Sequence, residues 1–240
     1  MQINNTSQIS SYFKNRHIAP EFYKDFTIPP YLLKVLHKDL NIKILDIGCG
    51  FGQMLSALHK LGYKSLVGID ISDEAVSFCV GKELKVIKIN DIIDYATSYA
   101  DEKFDFIIMS HVLEHIEKDK IIKSLKAIRE NLLARNGQMV VMAPNAQADT
   151  GCYWAYEDFT HTTLFTAGSL SYVLKAAGFE TIILLDPDCT EDLSPLKKLV
   201  KKLLLKIYIL RKSFWNRVTS SSYHKPSSRV FSYELKVLAK

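Results

Sequence analysis

One stretch, Lys43–Leu55 (KILDIGCGFGQML), constrains the fold of this chain more than any other. Its first residues form an apolar run short enough for a buried strand, and glycines follow at alternate positions, Gly48, Gly50 and Gly52. Apolar residues then recur at helical spacing from Met54 onwards. This order predicts a strand, a tight glycine turn and a helix whose free N–H groups point into the turn. Because glycine accepts positive φ and lets a ligand approach the backbone, the turn is a predicted binding site.

The spacing of the turn disfavours a dinucleotide as the ligand. A dinucleotide fingerprint reads G-x-G-x-x-G, but here the third glycine comes one residue early and Gln53 occupies its place. Asp46, just before the turn, would repel a pyrophosphate and suits a cation such as the amino group of an amino acid. Asp70 ends a second apolar run, where a carboxylate can accept hydrogen bonds from ribose hydroxyls. A third run ends at Asn90 and Asp91.

These motifs resemble those of the class I S-adenosylmethionine (SAM)-dependent methyltransferases. The resemblance covers roughly residues 40–190 and is carried by DIGCGFG (46–52), GIDIS (68–72), IND (89–91) and FDFIIMSHVLEHI (104–116). It implies SAM as the cofactor, with Asp70 at the ribose, Asp46 at the methionyl end and Asn90, Asp91 and Ile92 facing the adenine. The residues implied to bind the cofactor are Asp46, Gly48, Cys49, Gly50, Gly52, Gln53, Asp70, Ile71, Asn90, Asp91, Ile92, Ser110 and His111.

The core alternates strand and helix patterns, which favours a parallel sheet covered by helices on both faces. Strands are expected near 43–47, 65–69, 85–89, 104–109, 137–143 and 179–185, and helices near 52–61, 73–80, 118–134 and 167–177. A seventh strand is expected over 229–239, and the resemblance implies that it runs antiparallel. The prediction is a Rossmann-like, doubly wound, mostly parallel seven-stranded sheet in a single domain. We expect a helical cap over 1–40, the SAM-binding core over 41–190, and a basic amphipathic helix and final strand over 191–240.

Methyl transfer to a hydroxyl needs alignment and a base that takes the proton. His161 is the best candidate, because it lies in a segment after the fifth strand, where open α/β sheets build their acceptor sites. Asp158, three residues earlier, could orient it. The D-x-T-H pattern is similar to methyltransferases of bacterial surface-polysaccharide (capsule and O-antigen) gene clusters, which implies a sugar or nucleotide-sugar acceptor. The structural alternative is that His161 packs against or caps the helix starting near Ala167.

The motif His111–His115 formally matches H-x-x-E-H, in which two histidines can share zinc. Its place directly after a strand, at the cofactor edge of the resembled family, disfavours a zinc hydrolase, and no metal site is predicted. In some quinone-type methyltransferases an E-H pair here helps to bind a divalent ion, so Glu114 and His115 remain alternatives for a metal or for the acceptor. A lipid-soluble, quinone-type acceptor is therefore the alternative to a sugar. An inactive SAM-binding partner subunit is the non-enzymatic alternative.

The net charge of +5 conceals an asymmetry, because residues 194–240 carry +11 and the rest −6. Residues 194–218 contain eight basic residues and no acid, with apolar residues at helical spacing. This pattern predicts an amphipathic helix that lies on an anionic membrane, or alternatively packs its apolar face on the sheet or in a homodimer. No basic-aromatic groove accompanies it, so nucleic acid is not a predicted partner. The polar N-terminus and scattered cysteines predict a cytoplasmic protein, peripheral to the inner membrane face if the helix binds lipid.

Overall fold

The computed structural model describes residues 12–224 and 229–240. Residues 1–11 of the expected cap, and residues 225–228, lie outside the described residues. The strands are β1 (Lys43–Ile47), β2 (Ser65–Asp70), β3 (Val86–Lys88), β4 (Phe104–Ser110), β5 (Leu133–Pro144), β6 (Ile182–Leu184) and β7 (Glu234–Ala239). The helices are α1 (Tyr12–Asn15), α2 (Pro30–Leu33), α3 (Gln53–Lys60), α4 (Asp73–Gly81), α5 (Ile92–Ser98), α6 (Ile121–Ala127), α7 (Gly151–Glu157), α8 (Ala167–Ala176) and α9 (Pro195–Val218).

All seven strands form one sheet in the order β3-β2-β1-β4-β5-β7-β6. The strands β1 to β5 pair in parallel, while β7 runs antiparallel to both of its neighbours, β5 and β6. The predicted doubly wound, mostly parallel sheet with an antiparallel last strand is therefore confirmed. Because parallel strands end at the same edge, this order brings the carboxyl ends of β1, β2 and β4 side by side.

The sheet is buried on both faces, as parallel sheets are. Consecutive residues of β1 point to opposite sides, so Ile44 joins one apolar cluster while Leu45 and Ile47 join another. The first cluster packs against α3 and the segment Ile28–Leu36, and the second against α6 and α8. The central strands are thereby held rigidly, and so is the edge at which they end.

Two helices, α5 and α7, were not predicted from the sequence. Helix α5 begins where it does because Asp91 caps it, with Oδ1 accepting hydrogen bonds from Ile93 N at 2.6 Å and Asp94 N at 3.2 Å. Helix α7 falls in the segment between β5 and α8, and its only fully buried residue is Gly151, so it lacks the apolar periodicity of a core helix.

Helix α9 has no buried residue, although it is amphipathic. Packing of its apolar face on the sheet, one of the sequence-based alternatives, is therefore not what the structure shows. None of the described helices is long and apolar enough to cross a bilayer. The exposed apolar side chains of this helix are Leu196, Leu199, Val200, Leu203, Leu204, Ile207, Leu210, Phe214, Trp215 and Val218.

Candidate active site

The glycine turn after β1 folds back onto the end of β2. Gly48 N donates a hydrogen bond to the Ile69 carbonyl oxygen at 2.8 Å. Gly50, at φ +53°, lines the cavity beside the turn. Gly52 has φ +73° and precedes α3, where an added Cβ would lie 2.9 Å from Cys79 Sγ. The turn therefore needs glycine for its backbone conformation and, at Gly52, for space as well.

Two buried carboxylates flank this turn. Asp70 Oδ2 accepts a hydrogen bond from Gly50 N and Oδ1 accepts one from Ser72 N, both at 2.8 Å. Each oxygen retains lone-pair capacity for a ligand in the cavity. Asp46 is only 2% exposed, and burial together with the charge of Asp70 raises the pKa of Asp46 to about 8. A cation beside Asp46 would favour its ionised form and lower that pKa.

The wall beyond Asp70 combines apolar and polar groups. Ile71 and Ile92 line the cavity there and offer apolar surface to a flat ring, next to Asn90. Gln53, the first residue of α3, lines the same cavity, and its buried Oε1 finds no hydrogen-bond partner within the described residues. A buried amide oxygen left in this state costs free energy until a donor reaches it, so this end of the cavity is built for a polar ligand.

His111 follows β4 with a strained backbone, at φ +54°. Its Nε2 lies 2.8 Å from Glu234 Oε1 and its Nδ1 3.3 Å from Glu114 Oε1. Burial opposes a charged ring, but the two carboxylates outweigh it and raise the pKa of His111 to about 10. A protonated imidazole has no free lone pair, so His111 is unsuited to act as a base. The sequence analysis missed Glu234, although it is the only acid within residues 194–240.

His161 lies in the cavity wall with a side chain that is 6% exposed. Its Nδ1 lies 2.7 Å from the carbonyl oxygen of Trp154. A carbonyl can only accept, so we assign the proton to Nδ1, which leaves Nε2 with a free lone pair in the neutral ring. This Nε2 lies 3.6 Å from Asp158 Oδ2 and 4.0 Å from Glu114 Oε1. The backbone of Trp154, which sequence reasoning could not identify, therefore orients His161.

Asp158 lies 3.6 Å from His161, the partner expected from the sequence, but has closer partners as well. Its Oδ2 accepts a hydrogen bond from Tyr12 Oη at 2.8 Å and pairs with Arg16 Nη1 at 2.9 Å, while Oδ1 accepts from the amide and hydroxyl of Thr160. Burial opposes the charge of Asp158, but these hydrogen bonds outweigh it and hold the pKa of Asp158 below its usual range. Asp158 thus joins residues 12–36, hereafter the cap, to the segment between β5 and α8. The hydrogen bond that orients the His161 ring comes from the Trp154 carbonyl.

Glu114 and His115 meet His161 at the cavity, and the potential ligand atoms of all three lie within 4.8 Å of one another. Glu114 is fully buried; its Oε1 pairs with His111 Nδ1 at 3.3 Å, and its Oε2 has no hydrogen-bond partner in the described part of the chain. His115 Nδ1 lies 2.8 Å from Thr160 Oγ1, and burial lowers the pKa of His115. A carboxylate with two imidazoles can hold zinc or another divalent ion. The structure therefore adds His161 to the Glu114–His115 pair noted in the sequence.

These groups share one cavity of about 900 Å³, which the cap covers with aromatic rings. The cap residues with aromatic side chains in its wall are Tyr12, Phe13, Tyr23, Phe26 and Tyr31. Among the predicted cofactor residues, those in the lining are Asp46, Gly48, Cys49, Gly50, Gln53, Asp70, Ile71, Asn90, Asp91, Ile92, Ser110 and His111. Gly52 stays outside the lining because it faces Cys79 and Leu84. The predicted pair His161 and Asp158 lies in the same cavity.

The model of a family described as a methyltransferase domain matches residues 16–184 of this chain. O-methyltransferase 3 of Dictyostelium discoideum is 29% identical over 164 residues, covering 60% of this chain and 38% of that protein. The ubiquinone biosynthesis O-methyltransferase of Pelagibacter ubique (strain HTCC1062) is 35% identical over 138 residues, covering 54% of this chain and 52% of that protein. The chain thus spans about half, or less, of the length of these relatives.

Solved structures share the fold over nearly the whole chain. A SAM-dependent methyltransferase from Archaeoglobus fulgidus superposes with a TM-score of 0.59 at 19% identity, covering 98% of this chain and 94% of that one. The DhpI–SAH complex superposes with a TM-score of 0.58 at 14% identity, covering 100% of this chain and 98% of that one. At such identities these likenesses show the fold.

Proposed function

This chain belongs to the methyltransferase domain family, and we propose that it transfers a methyl group from SAM to a phenolic hydroxyl of a lipid-soluble, quinone-type acceptor. The observation that carries the proposal is the shared cavity, in which the glycine turn and its carboxylates face an aromatic cap across a buried histidine. One end suits a cationic cofactor with a ribose, and the other suits an aromatic acceptor.

The cofactor end fits SAM. Asp46 would face the methionyl amino group, which would keep this carboxylate ionised, and Asp70 has lone-pair capacity for the ribose hydroxyls. Gln53 Oε1, which has no hydrogen-bond partner among residues 12–224 and 229–240, would gain a donor from the ligand. When bound, SAM supplies a methyl group on a sulfonium, which is an excellent leaving group. A solved structure with this fold is described as a DhpI–SAM–HEP complex, in keeping with SAM as the cofactor.

His161 would act as the base. Its Nδ1–H is held by the Trp154 carbonyl, so Nε2 is free to take the proton of the acceptor hydroxyl as that oxygen becomes nucleophilic. The Glu114 carboxylate, 4.0 Å from Nε2, would stabilise the imidazolium that forms. A phenol has a pKa of about 10, against about 15.7 for water, so a histidine deprotonates a phenol far more readily than an aliphatic hydroxyl. This chemistry favours an aromatic acceptor.

The acceptor end supports the same choice. The rings of Tyr12, whose centroid lies 5.6 Å from that of His115, and of Tyr31 line the cavity, and an aromatic ring can pack on them. Relatives at 29–35% identity are ubiquinone biosynthesis O-methyltransferases. A lipid-soluble acceptor would place the reaction at a membrane surface, so peripheral membrane contact belongs to this proposal.

The second candidate acceptor is a sugar of surface-polysaccharide assembly, which the sequence motifs favoured. It is favoured by the carboxylates of Asp158, Asp186 and Asp192 in the lining, which can accept hydrogen bonds from hydroxyls.

The experiment incubates the protein with SAM and two sets of acceptors, alkyl-substituted catechols and nucleotide-sugars. Mass spectrometry detects the gain of one methyl group. We expect methylation of the catechols and none of the nucleotide-sugars. Methylation of nucleotide-sugars alone would replace the proposal by the second candidate. SAM binding without transfer to either set would contradict the proposed acceptor and base, but leave the cofactor site standing.

A further inference from the structure

Helix α9 contacts the remainder of the protein along one narrow face. Lys201 Nζ donates a hydrogen bond to the Cys189 carbonyl oxygen at 2.6 Å. Two turns further along, Tyr208 Oη donates to Asp149 Oδ1 at 2.7 Å, and Lys212, one turn beyond it, pairs with the same carboxylate at 2.9 Å. These residues are seven and four positions apart, so they define one side of the helix. These polar contacts mark the side turned inwards, on which Leu205 and Ile209 are also half-buried.

The opposite side of α9 carries a stripe of apolar residues and faces outwards. Ten apolar side chains along the helix are 49–71% exposed, among them Leu199, Leu203, Ile207, Leu210 and Phe214. At 3.6 residues per turn these five align in one stripe along the helix. A contiguous exposed stripe of this kind on a folded protein marks an interaction surface.

The charges bordering the stripe select the kind of partner. The helix carries eight basic residues and no acid. By helical spacing, Lys206 and Arg217 lie on one border of the stripe, and Lys197 and Arg211 on the other, and all four are exposed. Pairing the stripe with the same stripe of a second copy would bring two sets of cations together. An anionic lipid surface accepts both the cations and the apolar side chains.

We propose that α9 docks the protein on anionic membrane, with the stripe buried at the level of the lipid headgroups. The inward side of the helix contacts Cys189 and Asp149. Cys189 lines the cavity, and Asp149 lies just before α7, which contains the cavity-lining Trp154. Docking therefore brings the acceptor end of the cavity close to the lipid surface. This last step rests on the proposed function, because it gives a lipid-soluble acceptor a short path from the membrane.

The experiment is co-sedimentation of the full chain with vesicles of phosphatidylglycerol or of phosphatidylcholine, each at low and high salt. We expect binding to phosphatidylglycerol vesicles that weakens as salt rises, and little binding to phosphatidylcholine. The double substitution Lys202→Glu with Lys206→Glu should weaken it roughly tenfold or more, since each cation near an anionic surface adds to binding. The pair Lys64→Glu with Lys85→Glu, which makes the same change in net charge on exposed residues away from α9, is the matched control.

A second pair, Leu203→Ser with Ile207→Ser, tests the stripe without changing charge. Both side chains are more than half exposed, so folding should survive, and binding that persists at high salt should be lost. Equal sedimentation with both lipids, or binding weakened as much by the control pair as by the α9 charge pair, would overturn the proposal. So would a stable dimer that Leu203→Ser with Ile207→Ser dissociates, because a second copy would then be the occupant. Methylation of a water-soluble catechol should be unchanged in all these variants, so loss of docking and loss of catalysis are separable.

Discussion

The two ends of the cavity are built in different ways. The cofactor end is formed mostly by backbone groups and by residues at strand termini. Its contact between Gly50 N and Asp70 joins residues that are 20 apart in sequence. At the acceptor end, side chains from distant segments meet: Tyr12 and Asp158 are 146 residues apart, and His115 and Thr160 are 45 apart. The first end is fixed by the sheet, whereas the second depends on separate segments staying together.

This difference indicates where specificity for the acceptor can change without loss of the fold. The cofactor end shares its hydrogen bonds with the sheet, so altering it disturbs the core. The acceptor end is closed by the cap and by the segment between β5 and α8. These are joined by the contacts of Asp158 with Tyr12 and Arg16, and by Arg16 Nη1 donating to the Glu157 carbonyl oxygen at 3.5 Å. Substitutions at the two ends should therefore have distinct signatures, in cofactor affinity at one and in turnover or acceptor affinity at the other.

Replacing the proposed base should give the largest effect. We expect His161→Ala to lower the methylation rate about 10²–10⁴-fold, the range for a positioned base, with SAM affinity unchanged. Single-turnover rates and calorimetric SAM binding measure the two quantities, and His37→Ala, at an exposed histidine, serves as control. A rate within a few-fold of the wild type would make His161 structural. Activity that chelators abolish and divalent metal restores would instead make it a ligand with Glu114 and His115.

Asp46 should make the stability of the ligand-free protein depend on pH. Its pKa is raised in the folded protein to about 8, against about 3.9 when unfolded, so the folded state binds the extra proton between these values. Stability of the ligand-free protein should therefore fall as pH rises from about 4 to about 8. Asp46→Asn should remove this fall and stabilise the protein at pH 8 by several kcal/mol, since one unit of pKa shift corresponds to about 1.4 kcal/mol, while weakening SAM binding.

Urea unfolding at pH 5, 7 and 9 checks this expectation. Asp101→Asn, the same substitution at an exposed site, is the matched control and should follow the wild-type pH profile. If Asp46→Asn also follows that profile, the Asp46 carboxyl does not carry the extra proton in the folded state.

The contrast between the two ends also explains what the sequence could predict. Gly48, Gly50 and Asp70 were predictable because strand periodicity and glycine spacing determine the backbone locally. The roles of Tyr12, Trp154 and Glu234 were not, because each depends on a contact across the fold, and in Trp154 on a carbonyl that every residue possesses. His161 was chosen as the candidate base by its chemistry and its place after β5, but the Trp154 carbonyl that orients it was not predicted. The outward stripe of α9 was uncertain for the same reason, since periodicity gives a helix two faces without saying which one packs.

A matched pair of aspartate substitutions should separate the two ends directly. Asp70→Ala should weaken SAM binding by roughly 1–3 kcal/mol, since it removes the proposed acceptor of the ribose hydroxyls and the acceptor of Gly50 N. Asp158→Ala should leave SAM affinity unchanged and raise the KM for the acceptor, because its partners Tyr12 and Arg16 belong to the cap. Calorimetry and acceptor titrations measure both effects. Equal losses of SAM affinity in the two variants would mean that the ends are one cooperative unit.

The smallest effect should come from the single hydroxyl that joins the cap to Asp158. Burial and Asp158 hold the pKa of Tyr12 above its usual value, so its hydroxyl stays a donor across the working pH range. Tyr12→Phe keeps the ring in the cavity wall but removes the 2.8 Å hydrogen bond to Asp158 Oδ2, which is worth about 0.5–1.5 kcal/mol. The ion pair between Arg16 and Asp158 remains, so the cap should loosen without detaching. We expect the KM for the acceptor to rise by up to about tenfold, with SAM affinity and kcat little changed. Tyr172→Phe, at a ring that is 68% exposed, should change neither. A Tyr12→Phe variant with wild-type KM would show that Arg16 alone suffices to hold the cap against Asp158.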